Sequence, residues 1–201
     1  MKPAQDETKP AAVLVRATQA GDAGPKEWEW VERQVWTERM LEALEKGVKG
    51  GVWFSLIDKI QRPKTLMAAW VAVKRNGGSA GSDHQSIEDF EKDLAGEIER
   101  LSEALRTGSY RPRSIRRVYI DKPGSGEKRP LGIPCVRDRV VQGALRLVVE
   151  PIFENVFVNH SYGFRPRRGC KDDLREVDRL LHAGYTYVVD ADTTAYFATI
   201  H

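Results

Sequence analysis

Apolar residues recur at helical spacing along most of the chain. In "WEWVERQVWTERMLEALEKGVKGGVWFSLIDKI", residues 28–60, Val31, Val35, Met40, Leu41 and Leu44 follow such a pattern until glycines at 47, 50 and 51 break it, which predicts a helix, a turn and a second short helix. After Pro63, "TLMAAWVAVKRN" predicts another helix, closed by the loop "GGSAGSDHQS". Ser86 with Asp89 three positions on forms a capping-box-like pair, and Ile87, Phe90, Leu94, Ile98, Leu101 and Leu105 repeat at three and four residues, so one helix is expected up to Thr107-Gly108. The period then changes. Ile115 to Ile120 is rich in strand formers, "DKPGSGEK" is turn chemistry and the return strand begins near Arg129, so a β-hairpin with a basic, glycine-containing tip is expected.

"VRDRVVQGALRLVVEPIF" returns to helical spacing, with Val136, Val140, Ala144, Leu147 and Val148 on one side and Pro151 expected to kink or restart it. The loop "VNHSYGFRPRRGC" leads to a helix from Lys171 with Leu174, Val177, Leu180 and Leu181 inside, ended by Gly184. "YTYVVDAD" reads as a buried strand. Residues 1–27 are rich in Ala, Lys, Gly and Pro and read as a disordered tail. Helices first, then a hairpin, then helices and a lone strand make the fold class α+β.

Composition narrows the function classes. With 201 residues and 41% hydrophobic content the chain can bury a core, no apolar run reaches the roughly 20 residues of a membrane span, and a cytosolic protein is the default reading. Cys135 and Cys170 read as ordinary thiols, and the four histidines share no metal-ligand spacing. The net charge of +3 favours no partner, but from Arg106 to Leu147 eleven Lys or Arg stand against three acids, Asp121, Glu127 and Asp138. A block this basic, interleaved with Tyr110, Tyr119 and apolar residues, can fold while presenting a phosphate-binding surface. Trp28, Trp30, Trp36 and Trp53 are open to base stacking or to core packing, and their helical placement favours the core.

Two motifs carry chemistry. Asp190 and Asp192 lie two apart on the expected strand and would point the same way, as a shared divalent cation requires; strand termination and helix capping also place aspartates here, and both readings stand. The hairpin tip, with Lys122, Lys128 and Arg129 among glycines, suits a triphosphate. Acidic strand end and basic tip together fit nucleotidyl transfer.

"KRPLGIPCVRDRVVQGALRLVVEPIFE", "HSYGFRPRRGCKDDLREVD" and "AGYTYVVDAD…YF" resemble successive N-terminal blocks of the reverse transcriptase/maturase of bacterial group II introns; "GSAGSDHQSIEDFEKDL" is similar to that family's extra N-terminal block and "WTERMLEALEKGVKGGVWFSLIDKI" to its leader. The resemblance implies a mostly helical fingers region with its hairpin over residues 28–184, leading at 185–201 into the first strand of a truncated palm of a right-hand polymerase fold. It implies RNA-directed DNA synthesis with Mg²⁺, group II intron RNA as template, a DNA primer or target, dNTP, and assistance to splicing. By it, Asp192 is the first catalytic, metal-binding aspartate, Phe197 discriminates the sugar, and Lys122 and Arg129 hold the triphosphate. Tyr162, Phe164 and Arg165 belong to its template-side block, and Arg116, Arg117, Arg137 and Arg139 are candidates for the template backbone. Thr193, Thr194 and Ala198 depart from the family's palm motif. The block carrying the other catalytic aspartates does not follow, so the 201-residue chain alone is expected to be inactive as a polymerase, acting by RNA binding, as a remnant of a mobile element, or with a complementing C-terminal piece.

Overall fold

In the computed structural model, residues 28–48, 53, 55–121, 123–124, 126–193 and 196 are described, and the expected tail at 1–27 lies outside them. The chain divides into two compact units, Met1–Val156 and Phe157–His201.

The first unit is built of helices. After a short 3-10 turn at Trp28–Trp30 come α1 (Glu38–Lys46), α2 (Leu56–Ile60), α3 (Pro63–Asn76), α4 (Ile87–Lys92), α5 (Leu94–Arg106), the hairpin strands β1 (Arg116–Asp121) and β2 (Lys128–Ile133), and α6 (Val136–Val156). Pro63 sits at the start of α3, where its missing N–H costs nothing. The Ser86–Asp89 capping box forms as expected, the serine side chain accepting from the Asp89 N–H. The helix it opens is not continuous to 105. Asp93 leaves helical geometry (φ −126°, ψ 43°), its carboxylate is held by Arg100 at 2.8 Å, and α5 starts afresh behind it.

The core lies along α6, whose Val136, Val140, Ala144 and Val148 are fully buried against Leu66, Ala69 and Trp70 of α3, Phe90 of α4, and Val35 and Trp36, which precede α1. Trp70 and Phe90 stack with centroids 4.9 Å apart. α3 and α6 approach closely at Gly143: a side chain there would come within 3.2 Å of Ala69 Cβ. Of the four tryptophans at 28, 30, 36 and 53, Trp28 and Trp36 are core residues and Trp30 and Trp53 pack on it.

α6 does not restart at Pro151 but runs on to Val156. A proline at 151 cannot donate to the carbonyl four residues back, so the Leu147 oxygen would be orphaned. The indole Nε1 of Trp36 donates to that oxygen at 2.9 Å. The tryptophan therefore both fills the core and supplies the hydrogen bond that the proline removes.

The second unit holds α7 (Cys170–His182). Two expectations fail there. The apolar side of α7 is not inside: Leu174, Val177 and Leu181 are exposed. The segment 185–192 forms no strand and is exposed throughout, Tyr187 at 93% and Val189 at 92%. The reason is common to both. A strand makes its ladder hydrogen bonds only with neighbouring strands, and β1–β2 is the one sheet among the described residues; an apolar helix face is buried only where another layer covers it.

Candidate nucleic-acid interface

The hairpin is antiparallel, with Arg116 opposite Ile133, Arg117 opposite Gly132, Val118 opposite Leu131, Tyr119 opposite Pro130, Ile120 opposite Arg129 and Asp121 opposite Lys128. Opposed residues share a face and neighbours alternate. One face therefore carries Arg116, Val118 and Ile120 with Arg129, Leu131 and Ile133; its β1 members are half-buried. The other carries Arg117, Tyr119 and Asp121 with Lys128, Pro130 and Gly132, all exposed. Ile115, just before β1, leans over Gly132, where any side chain would meet its Cδ1 at 2.7 Å.

The base of the hairpin is clamped by a carboxylate that charge reading alone passes over. Asp138, in the first turn of α6, is 2% exposed and accepts from the Tyr110 hydroxyl at 2.6 Å and from the Arg113 backbone N–H at 3.0 Å. Burial, and then the hydrogen bond to Asp138, push the Tyr110 phenol above its ordinary pKa. Arg113 pairs in turn with the nearly buried Asp83 at 3.0 Å. Ser82 donates to the Ser114 carbonyl, and Gly81 lies so close to Cys135 that a side chain there would come within 2.6 Å of its backbone. The loop after α3, the strap before β1 and the start of α6 are thus joined where both strands leave the helical body. A lone acid in the opening turn of a helix, flanked by Arg137 and Arg139, was the available signal.

The candidate arginines differ in what they already hold. Arg139 spends its guanidinium on the carbonyls of Gly77 and Ser79, at 3.2 and 2.6 Å. Arg137 lies over the Tyr110 ring, 5.5 Å from its centroid, with Nε 3.8 Å from Asp138. Arg116 is half-buried and its Nε has no hydrogen-bond partner. Among the described residues, the exposed side chains of Arg117 and Arg129 make no hydrogen bond or ion pair, which leaves them available to an anion. Lys122 and Phe197 lie outside the described residues.

In the second unit, Arg165 is 7% exposed and donates to the carbonyls of Val158 and Ser161 at 2.7 and 2.8 Å while covering the Phe157 ring. Arg168 donates to the Asn159 carbonyl and lies over the Tyr162 ring at 5.7 Å. These arginines staple their own loop. Phe164, at φ 56°, is fully exposed.

Asp190 and Asp192 are exposed, and Asp192 Oδ1 accepts the Thr193 N–H at 2.8 Å. Two carboxylates are the donor chemistry Mg²⁺ takes. No group of three or more potential ligands is gathered among the described residues. No helix among them is long and apolar enough to cross a membrane.

No protein-family model matches the chain. It is 39% identical over 152 residues to Protein YkfC of Escherichia coli K12, a match covering 73% of this chain and 40% of the relative. To the group II intron-encoded protein LtrA of Lactococcus lactis it is 31% identical over 169 residues, covering 82% of this chain and 28% of the relative. To nuclear intron maturase 2 of Arabidopsis thaliana it is 41% identical over 56 residues, 28% of this chain and 8% of the relative. The chain spans less than half the length of each of these relatives.

Proposed function

We propose, from the premise that this chain belongs to the family of group II intron-encoded proteins and intron maturases, that it is the fingers part of an RNA-directed DNA polymerase that also aids intron splicing. The likeness to the Lactococcus protein over 82% of this chain carries the reading. The geometry supports it with a basic hairpin held at its base and bearing Arg117 and Arg129 with no partner among the described residues. Arg129, with Lys122, is the proposed holder of a dNTP triphosphate; the motif match of Asp192 supports a place for it at a divalent ion, and that of Phe197 a place beneath the sugar. A right-hand polymerase arrangement and a DNA primer belong to the same proposal.

The activity of this polypeptide by itself is proposed to be RNA binding. Phosphate contacts need no metal, whereas two-ion chemistry needs more than the exposed pair Asp190 and Asp192, which gathers no third ligand among the described residues. The test is intron-RNA affinity measured across a salt series. Log affinity should fall linearly with log salt, and Arg117→Gln or Arg129→Gln should each reduce the slope by about one. A flat response, or slopes unchanged in both variants, overturns the reading. Primer extension on an RNA template with Mg²⁺ should show no dNTP incorporation by the 201-residue polypeptide.

A further inference from the structure

The outer face of the hairpin holds an aromatic ring that nothing in the fold uses. Tyr119 is 59% exposed, in mid-strand, and among the described residues its hydroxyl makes no hydrogen bond. A tyrosine kept for packing would face the half-buried side, where Val118 and Ile120 lie. Its surroundings leave the ring bare. The residue opposite is Pro130, whose small ring is short of the length of most side chains, and the next position along β2 on this face is Gly132, with no side chain at all. Ile115 closes the Gly132 end. Arg117 lies between Ile115 and Tyr119 on the same face, exposed and without a partner, and Lys128 stands beyond the ring, 3.9 Å from Asp121. The arrangement is an open ring flanked along one strand by a cation and walled by an aliphatic side chain.

We propose that Tyr119 is a stacking platform for one unpaired base of an RNA strand, with Arg117 taking the adjoining phosphate. The ring offers a π-face that accepts any base, and the guanidinium offers charge to the backbone, the pairing by which proteins hold single strands without reading their sequence. A duplex would not engage it, because its bases present no free face. The charge around the ring selects the occupant: Arg117 has no neighbouring acid on β1 but Asp121, and Asp121 already has Lys128. A flat, phosphate-linked ring fits a surface that sets an exposed aromatic face beside an unpaired guanidinium, opposite proline and glycine. The inference rests on the RNA-binding reading above and adds to it the single-stranded form of the RNA and the residue that recognises it.

The experiment uses the 201-residue chain and two probes of equal length, a single-stranded RNA with one 2-aminopurine and the same strand in a duplex. The single strand should bind more tightly, with its fluorescence quenched on binding. Tyr119→Leu should lose roughly 5- to 150-fold in single-strand affinity and abolish the quench. Tyr119→Phe should retain both, and duplex affinity should be the same in all three proteins. Arg117→Gln should weaken the single strand with the quench preserved at saturation. Equal losses for both probes in Tyr119→Leu, or an undiminished quench, overturn the platform while the RNA-binding reading stands. Failure of the unaltered chain to bind either probe overturns both. Because Tyr119 is exposed, the variants should share the circular dichroism of the parent; a Tyr119→Phe protein that behaves like Tyr119→Leu also refutes the proposal.

Discussion

Replacing Asp138 by alanine should do more damage than its place in a basic, exposed-looking stretch suggests. The change removes the acceptor of the Tyr110 hydroxyl and of the Arg113 N–H. A buried donor left without a partner costs about 1–3 kcal/mol. Tyr110 is only half-buried and can partly rehydrate, so its share belongs at the lower end. Relief from holding a buried carboxylate offsets part of the loss, but three groups now hold that carboxylate, and its weak 3.8 Å approach to Arg137 is the smallest of them. The expected net cost is about 2–4 kcal/mol. Asp138→Asn, which keeps one carbonyl acceptor, should cost about half of that. Urea unfolding of the two variants and of Tyr110→Phe gives the numbers, and the Tyr110→Phe/Asp138→Ala cycle gives the coupling. A coupling of about 1 kcal/mol is expected. An alanine variant within about 0.5 kcal/mol of the parent, a surface-like value, or effects that simply add, would refute the clamp.

The proline in α6 makes a second prediction by the same method. Trp36→Phe should cost about 2–4 kcal/mol through the unpaired Leu147 carbonyl and lost volume, and about 1 kcal/mol less when Pro151→Ala restores a backbone donor to that carbonyl. A cycle without coupling would show that the indole does not replace the missing N–H. A third prediction concerns acid. Lys92 first, then Ser86, hold the Asp89 carboxyl down to about 2. The native state thus binds the proton less readily than the unfolded chain. The stability contributed is complete above the ordinary value of 3.8 and is lost as pH falls through about 2. Asp89→Asn should flatten melting temperature against pH in that window, and an unaltered acid limb would contradict the capping box.

The helices of the first unit were legible because each buries one stripe against a neighbour inside the same unit: Val136, Val140, Ala144 and Val148 meet Leu66, Ala69 and Trp70 as their spacing foretold. The hairpin was legible from turn chemistry, which is local. The break at Asp93 was not, because a capping residue inside an apolar repeat competes with the repeat and a contact to Arg100 decides the outcome. The strand at 185–192 was misjudged for the opposite reason. Its pattern is that of a strand, but pairing is a property of two segments, and only one is described. Of the candidate site, the local excess of basic residues located the hairpin, but sequence could not separate Arg117, which faces outward, from Arg139, which binds carbonyls of the loop after α3, or Arg165, which binds carbonyls of its own loop. An arginine's reach makes both outcomes compatible with one sequence.

The loop at 77–85 has a lesson for anyone who would cut or tag this protein. Its run of glycine, serine and alanine is what a flexible tether looks like, and such stretches are the usual choice for inserting an epitope or splitting a chain. Here Gly81 is seated against Cys135 like a gasket, with less than one methyl group of clearance, and Ser82 and Asp83 fasten the far side. An insertion placed there would pry the basic arm from the body rather than dangle harmlessly in solvent.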